Sequence, residues 1–211
     1  MIPRLHIITD DEILSRRTFP GQAREVLAAG GEDVALHLRG PRSQGGFLFR
    51  TASELMDSAG AAGASLLVND RLDVALALRL SGVHLGQRSL PPRVARELLG
   101  PDALLGVSVH GREEMPPWEE DVDYLLVGTL FATPSHPEAV LGGLERMEAL
   151  ATLTSLPLVG IGGISPDRVC PVMAAGGHGV AVRGGIWNAP DPVEAVGVFL
   201  DGVGSGLALG R

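Results

Sequence analysis

Two glycine-rich stretches near the end of the chain carry the strongest chemical signal. The run "VGIGGIS" at 159–165 is followed one unit later by "GVAVRGGI" at 179–186. Glycines let the backbone approach an anion closely, and a helix N-terminus offers unpaired N–H donors with a favourable dipole. Gly162 and Gly163 end a strand-like run, and Ser165-Pro166-Asp167 then read as the start of a helix. One such loop would be a tight turn and nothing more. Two in succession favour a cradle for a phosphate group.

Polar residues at other strand ends come next. In "VNDRLDVAL" (68–76), Asn69-Asp70 falls where a strand gives way to a helix. Asp70 suits a helix cap, whereas an inward-pointing Asn69 would hydrogen-bond a polar substrate group. His37 and His84 sit inside strand-like runs, where a histidine is usually a satisfied core residue. His110 follows one, so its imidazole, which titrates near neutrality, can reach a bound substrate. His6 and His178 fall at or near strand starts, on the side away from the expected site. No HxH or HExxH spacing supports a zinc site, so no metal is expected. Cys170 is the single cysteine, which excludes an intrachain disulfide and fits a small core residue on a helix.

These residues need a scaffold that brings strand ends together. Eight β-rich runs are read at 4–9, 33–39, 65–68, 82–85, 103–108, 123–128, 157–162 and 179–182. Several are continuously apolar, as strands buried on both faces are. Helical patterns alternate with them at 20–30, 49–63, 70–80, 91–99, 111–118, 142–154, 166–175 and 191–200, which implies right-handed βαβ units. Even spacing, with glycine loops after the seventh and eighth strands, favours an α/β fold, a single (β/α)8 TIM barrel spanning 1–211. A doubly wound sheet would prefer its glycine fingerprint after the first strand, and "ITDDEILSRR" has none. Residues 40–48 and 129–143 read as loops, with Gly45-Gly46 and Gly142-Gly143 as hinges and the longer loop as a lid. The tail from 201 reads as a frayed end.

Composition agrees with a globular domain. The 211 residues are 45% hydrophobic, enough for a substantial core, and the net charge is −8 with no basic run. That balance argues against a nucleic-acid partner. The first residues, "MIPRLHIITDDE", meet acids too soon to be a signal peptide or a membrane span, so a cytoplasmic location is expected. An apolar outer helix face leaves room for a homodimer.

The ordered set "LLVNDRLDVALALRLSGVHLGQRSLPPRVAREL", "LLGVSVHGREE", "DYLLVGTLFATPSHP" and "LPLVGIGGISPDRV" resembles the thiamine phosphate synthase/TenI superfamily and covers most of the chain. The resemblance implies the barrel and a small-molecule thiazole phosphate ligand. Departures from the synthase pattern stand at four places. His37 and Pro41 replace a glutamine and a lysine, Ser89 replaces a carboxylate that joins Asp70 on Mg2+, and "TPSH" (133–136) replaces a lysine-bearing loop. Losing those charges weakens a pyrophosphate site. The resemblance therefore points to the TenI branch, thiazole tautomerase, an isomerase that needs no cofactor. His110, in its "SVH" context, would move the proton. Gly163, Gly184 and Gly185 would cradle phosphate, Arg39 and Ser108 would orient the substrate (Arg39 on a carboxylate), and Asn69 and Thr133 would line the pocket. His84 and His136 would support the site or its lid. Thiamine phosphate synthase itself, with Asp70 alone recruiting Mg2+, is the alternative reading. A non-catalytic regulator that binds thiazole phosphate and another phosphate-sugar isomerase are two more.

Overall fold

A computed structural model describes residues 1–111, 119–133 and 142–209. Eight parallel strands close in sequence order: β1 (Leu5–Ile8), β2 (Val34–Leu38), β3 (Ser65–Asn69), β4 (Gly82–Leu85), β5 (Leu104–Val109), β6 (Tyr124–Val127), β7 (Leu158–Ile161) and β8 (Gly179–Val182). The seam is β8 against β1, with Leu5 opposite Val180 and Ile7 opposite Val182. Helices cover the outside: α1 (Asp11–Ser15), α2 (Phe19–Gly30), α3 (Gly45–Ala62), α4 (Leu72–Leu78), α5 (Pro92–Leu99), α6 (Gly143–Ala151), α7 (Pro166–Ala174), α8 (Gly184–Trp187) and α9 (Pro192–Leu209). The expected (β/α)8 barrel is present, and all eight expected strands lie within two residues of their observed bounds.

Two cores follow from the pleat, because successive strand residues point to opposite faces. Leu36, Leu38, Val83, Leu85, Leu125 and Val127 face outward and join a large cluster with the helices. Inside the barrel, Ile8, Tyr124, Leu126, Val159 and Ala181 form a second, smaller cluster. His6, His37 and His84 alternate with outward-facing neighbours and are buried with that inner group. Space there is tight. A Cβ on Gly106 would lie 2.1 Å from the Tyr124 ring carbon Cζ, so the phenol fits only because β5 has no side chain at that point.

Two sequence expectations change, and a third lies mostly outside the described residues. Helix α3 starts at Gly45, so Gly45 and Gly46 form its first turn and not a hinge. The Arg71 guanidinium lies directly over Gly45 in this turn. The tail is not frayed to the end: α9 continues to Leu209. Its Gly202 and Gly206 lie against Val169 and Met173 of α7, and Val203 is buried. Small residues let the two helices approach, which a composition-based reading of "DGVGSG" misses. The helix expected at 111–118 and most of the 129–143 lid fall outside the described residues, although Gly143 already opens α6. Among the described residues, no helix is long and apolar enough to cross a membrane.

Close packing of α9 on α7 makes a concrete prediction. A Cβ at Gly206 would lie 2.6 Å from Met173 Cβ. Gly206→Leu should therefore cost about 1–3 kcal/mol by overpacking, read as a lower urea midpoint. An unchanged midpoint would restore the frayed-tail reading.

Candidate active site

The C-terminal ends of the strands gather most of the expected residues at one rim of the barrel. Asn69 ends β3, Ser108 lies at the end of β5, His110 follows it, and Gly163 and Gly184 follow β7 and β8. Arg39 is the first residue after β2, its backbone tied to the Thr9 hydroxyl. A cleft of about 380 Å³ opens at this rim, lined by Leu85, Gly86, Gln87, Ser89, Pro91 and Ser108 among others. A cavity of equal volume, lined by Arg4, Ser155 and His178, opens at the opposite rim. In such barrels chemistry sits at the C-terminal rim, so the first cleft is the candidate.

The glycine loops are shaped by packing as well as by access. Gly163 has φ +64°, and a Cβ there would lie 2.5 Å from the Ala132 carbonyl oxygen, in the loop after β6. Only glycine fits that contact. Arg168 holds the turn by donating to the Gly163 carbonyl at 2.7 Å and stacking 4.7 Å over Phe131. Gly184 opens α8, and a Cβ on Gly185 would press on the Phe199 ring at 2.8 Å. Sequence reading missed what pins this turn. Arg183 donates to Asp10 Oδ2 at 2.5 Å, and Trp187 Nε1 donates to the Ile8 carbonyl at 2.9 Å. The signal was available: an acid ending the first strand and a base ending the eighth must meet once the barrel closes.

Asp70 is not a helix cap. Its φ is +63°, and its Oδ1 accepts from the Gly86 N–H at 2.9 Å and from the Ser89 hydroxyl. Helix α4 begins at Leu72 without a side-chain cap. Ser89 therefore stands beside Asp70, as the spacing of "HLGQRS" implies, but it brings a hydroxyl and not a second carboxylate. Among the described residues, no three His, Cys, Asp or Glu side chains cluster as a metal cage. Mg2+ usually binds through one or two carboxylates plus substrate phosphates and waters, so a lone exposed Asp70 fits a phosphate-borne Mg2+.

Behind this rim the barrel interior is polar. His6 Nε2 lies 3.1 Å from the Pro3 carbonyl, which can only accept, so His6 donates from Nε2. Its bare Nδ1 then accepts from His37 Nε2 at 2.9 Å. That leaves His37 Nδ1 as a lone pair beside Asn69, whose Oδ1 is also enclosed without a donor. Turning the Asn69 amide would place its NH2 on the His37 lone pair and its oxygen away from that ring. His84 completes the interior, with Nδ1 3.2 Å from the Tyr124 hydroxyl and Nε2 2.8 Å from Ser108 Oγ. Burial holds His6 and His37 well below the usual imidazole range, with His37 and His84 charges adding to the effect respectively. Burial, with His6 and Arg39 nearby, pushes His84 down to about 3. His110, by contrast, is exposed, and its Nδ1 accepts from Gln87 Nε2 at 2.8 Å. Thr133 is half-buried after β6, and His136 lies outside the described residues.

Residues 5–186 match the sequence model of a family described as thiamine monophosphate synthase. The chain belongs to the thiamine monophosphate synthase family. It is 40% identical over 189 residues to thiamine-phosphate synthase of Laribacter hongkongensis, covering 89% of each chain. Identity to thiamine-phosphate synthase of Methanoculleus marisnigri is 39% over 209 residues, 98% of each chain. Among solved structures, thiamine phosphate pyrophosphorylase from Pyrococcus furiosus superposes with a TM-score of 0.83 at 29% identity, over 97% of this chain and 96% of that one.

These family members correct the isomerase expectation. Thiazole tautomerase, with His110 as its acid/base, is overturned by full-length likeness to synthases, which are transferases. Two imidazoles stand near the rim in different settings. His110 is solvent-exposed and engaged by Gln87, whereas the imidazole enclosed beneath the cleft is His84.

The neutral interior predicts acid lability. His6, His37 and His84 have folded pKa values below the unfolded value, so as pH falls below about 6.5 the unfolded chain binds protons that the folded barrel refuses. Stability is full above that pH and should fall by about 1.4 kcal/mol per pH unit for each histidine down to its folded pKa. Urea midpoints at pH 7.5, 6 and 5 measure it. A flat profile would contradict neutral burial.

Proposed function

We propose that this protein is a transferase of the thiamine-phosphate synthase type, joining hydroxymethylpyrimidine pyrophosphate to thiazole phosphate. The observation that carries the reading is identity of about 40% to such synthases across 89% to 98% of both chains. In this reaction the thiazole ring nitrogen bonds to the pyrimidine methylene carbon as the carbon–oxygen bond to pyrophosphate breaks. Negative charge grows on the departing pyrophosphate, and stabilising it is the work required of the site.

The residues at the rim suit that work in part. Arg39 has no carboxylate partner among the described residues, and a guanidinium matches phosphate oxygens in a forked geometry. It therefore serves the pyrophosphate. Bound Mg2+ would neutralise phosphate charge, with Asp70 as the residue that holds it. The backbone at Gly163, Gly184 and Gly185 takes the thiazole phosphate, next to Thr133. Asn69 and Ser108 orient the rings from below. The absence of a second carboxylate at Ser89 lowers Mg2+ affinity without removing the site. Small-molecule substrates and a net charge of −8 fit a cytoplasmic enzyme with no nucleic-acid partner.

Incubation with both substrates and Mg2+ should yield thiamine phosphate, and chelation should abolish its formation. Arg39→Ala should lower kcat/KM by about 10- to 100-fold, as loss of a charged hydrogen bond does. Tight binding of thiazole phosphate with no product formed would replace this reading with the non-catalytic regulator.

A further inference from the structure

Beneath the cleft, a buried phenol, an imidazole and a hydroxyl form one connected line. We propose that Tyr124 and His84 are positioning residues which fix the Ser108 hydroxyl as a hydrogen-bond donor to an acceptor atom on the bound substrate. This role rests on the synthase reading only for the identity of that substrate.

Protons in this line can be assigned by counting donors. The Tyr124 hydroxyl is fully enclosed, and its one hydrogen-bond neighbour among the described residues is His84 Nδ1. A buried hydroxyl hydrogen left without an acceptor is costly. Tyr124 therefore donates, and Nδ1 is bare. His84 is neutral at ordinary pH, so its single hydrogen sits on Nε2 and points at Ser108 Oγ, 2.8 Å away. Ser108 thus accepts from below, and its own hydrogen is left for the cleft, to which the residue is partly open. The reverse arrangement would spend the Ser108 hydrogen on His84 and orphan the phenol.

A second observation shows that the arrangement is built. Room for the Tyr124 ring exists only because position 106 on the neighbouring strand is glycine, where a Cβ would overlap Tyr124 Cζ and its hydroxyl oxygen. Glycine in a strand interior sacrifices packing and backbone order. A phenylalanine would need the same space without reaching His84, so the hydroxyl is the part the packing does not require. Tyr124 stays protonated throughout, because burial raises its pKa well above the usual phenol range.

The test has two arms. Nitrogen-15 NMR of histidine-labelled protein without substrate, with His84 assigned by loss of its signals in His84→Gln, should show the Nε2–H tautomer. The Nδ1–H tautomer overturns the proposal whatever the reaction proves to be. In the second arm, affinity for thiamine phosphate is measured by calorimetry. Ser108→Ala should weaken it about five- to tenfold, the worth of one hydrogen bond. Tyr124→Phe should weaken it in the same direction, and the double variant should be no weaker than Ser108→Ala alone. Additive losses, or no loss in either single variant, refute the relay. Failure to form thiamine phosphate from the two substrates, with the Nε2–H tautomer and the coupled losses intact, sinks the synthase reading and leaves the relay standing.

Discussion

Closing eight short strands into a barrel creates an interior so narrow that every inward residue is chosen by its neighbours. Here the interior holds three imidazoles and a phenol where aliphatic side chains would be usual. Ring centroids run from His6 to His37 at 5.1 Å, His37 to His84 at 5.5 Å, His84 to Tyr124 at 5.8 Å and Tyr124 back to His6 at 4.8 Å. Polar groups in such a place must be uncharged and paired, or the fold loses more than it gains. Burial keeps the three histidines neutral, and their hydrogen-bond partners then decide which nitrogen carries each proton.

That condition reaches the rim. One line of hydrogen bonds starts at the Pro3 carbonyl at the bottom and ends beside Asn69, and another starts at Tyr124 and ends on Ser108. Ser108 is thus held from inside the barrel by His84, and Asn69 lies beside His37 there. Loops contribute differently. The turn after β8 is clamped to the end of β1 by Asp10 and Arg183, and the turn after β7 is clamped by Arg168. Support from both directions restricts the rim, and where two reactants must meet, orientation supplies much of the rate.

The departures from the synthase pattern mislead when each is counted as a lost function. His37 removes a glutamine, yet it enters the buried imidazole set and stands next to Asn69. Ser89 removes a carboxylate, yet it donates to Asp70 and itself lines the cleft. Substitutions at a site change its strength before they change its reaction class. The likeness to synthases along the whole chain carries more weight than four positions.

Amino-acid order alone determined the barrel, because strand-length apolar runs alternating with helical periods leave few topologies, and glycine loops after the last two strands choose closure. It also determined which strand ends carry Asn69, Asp70, Ser108 and His110. Tertiary structure decided the rest. Whether a strand histidine points inward depends on register, which the short runs "LHII" and "GVHL" do not reveal on their own. Tyr124 became part of the site only when β6 lay beside a glycine of β5, and α9 reached Leu209 only because α7 offered it a surface. The contacts of Asp10 with Arg183 and of Ile8 with Trp187, 173 and 179 positions apart, come from closure, and no local pattern encodes them.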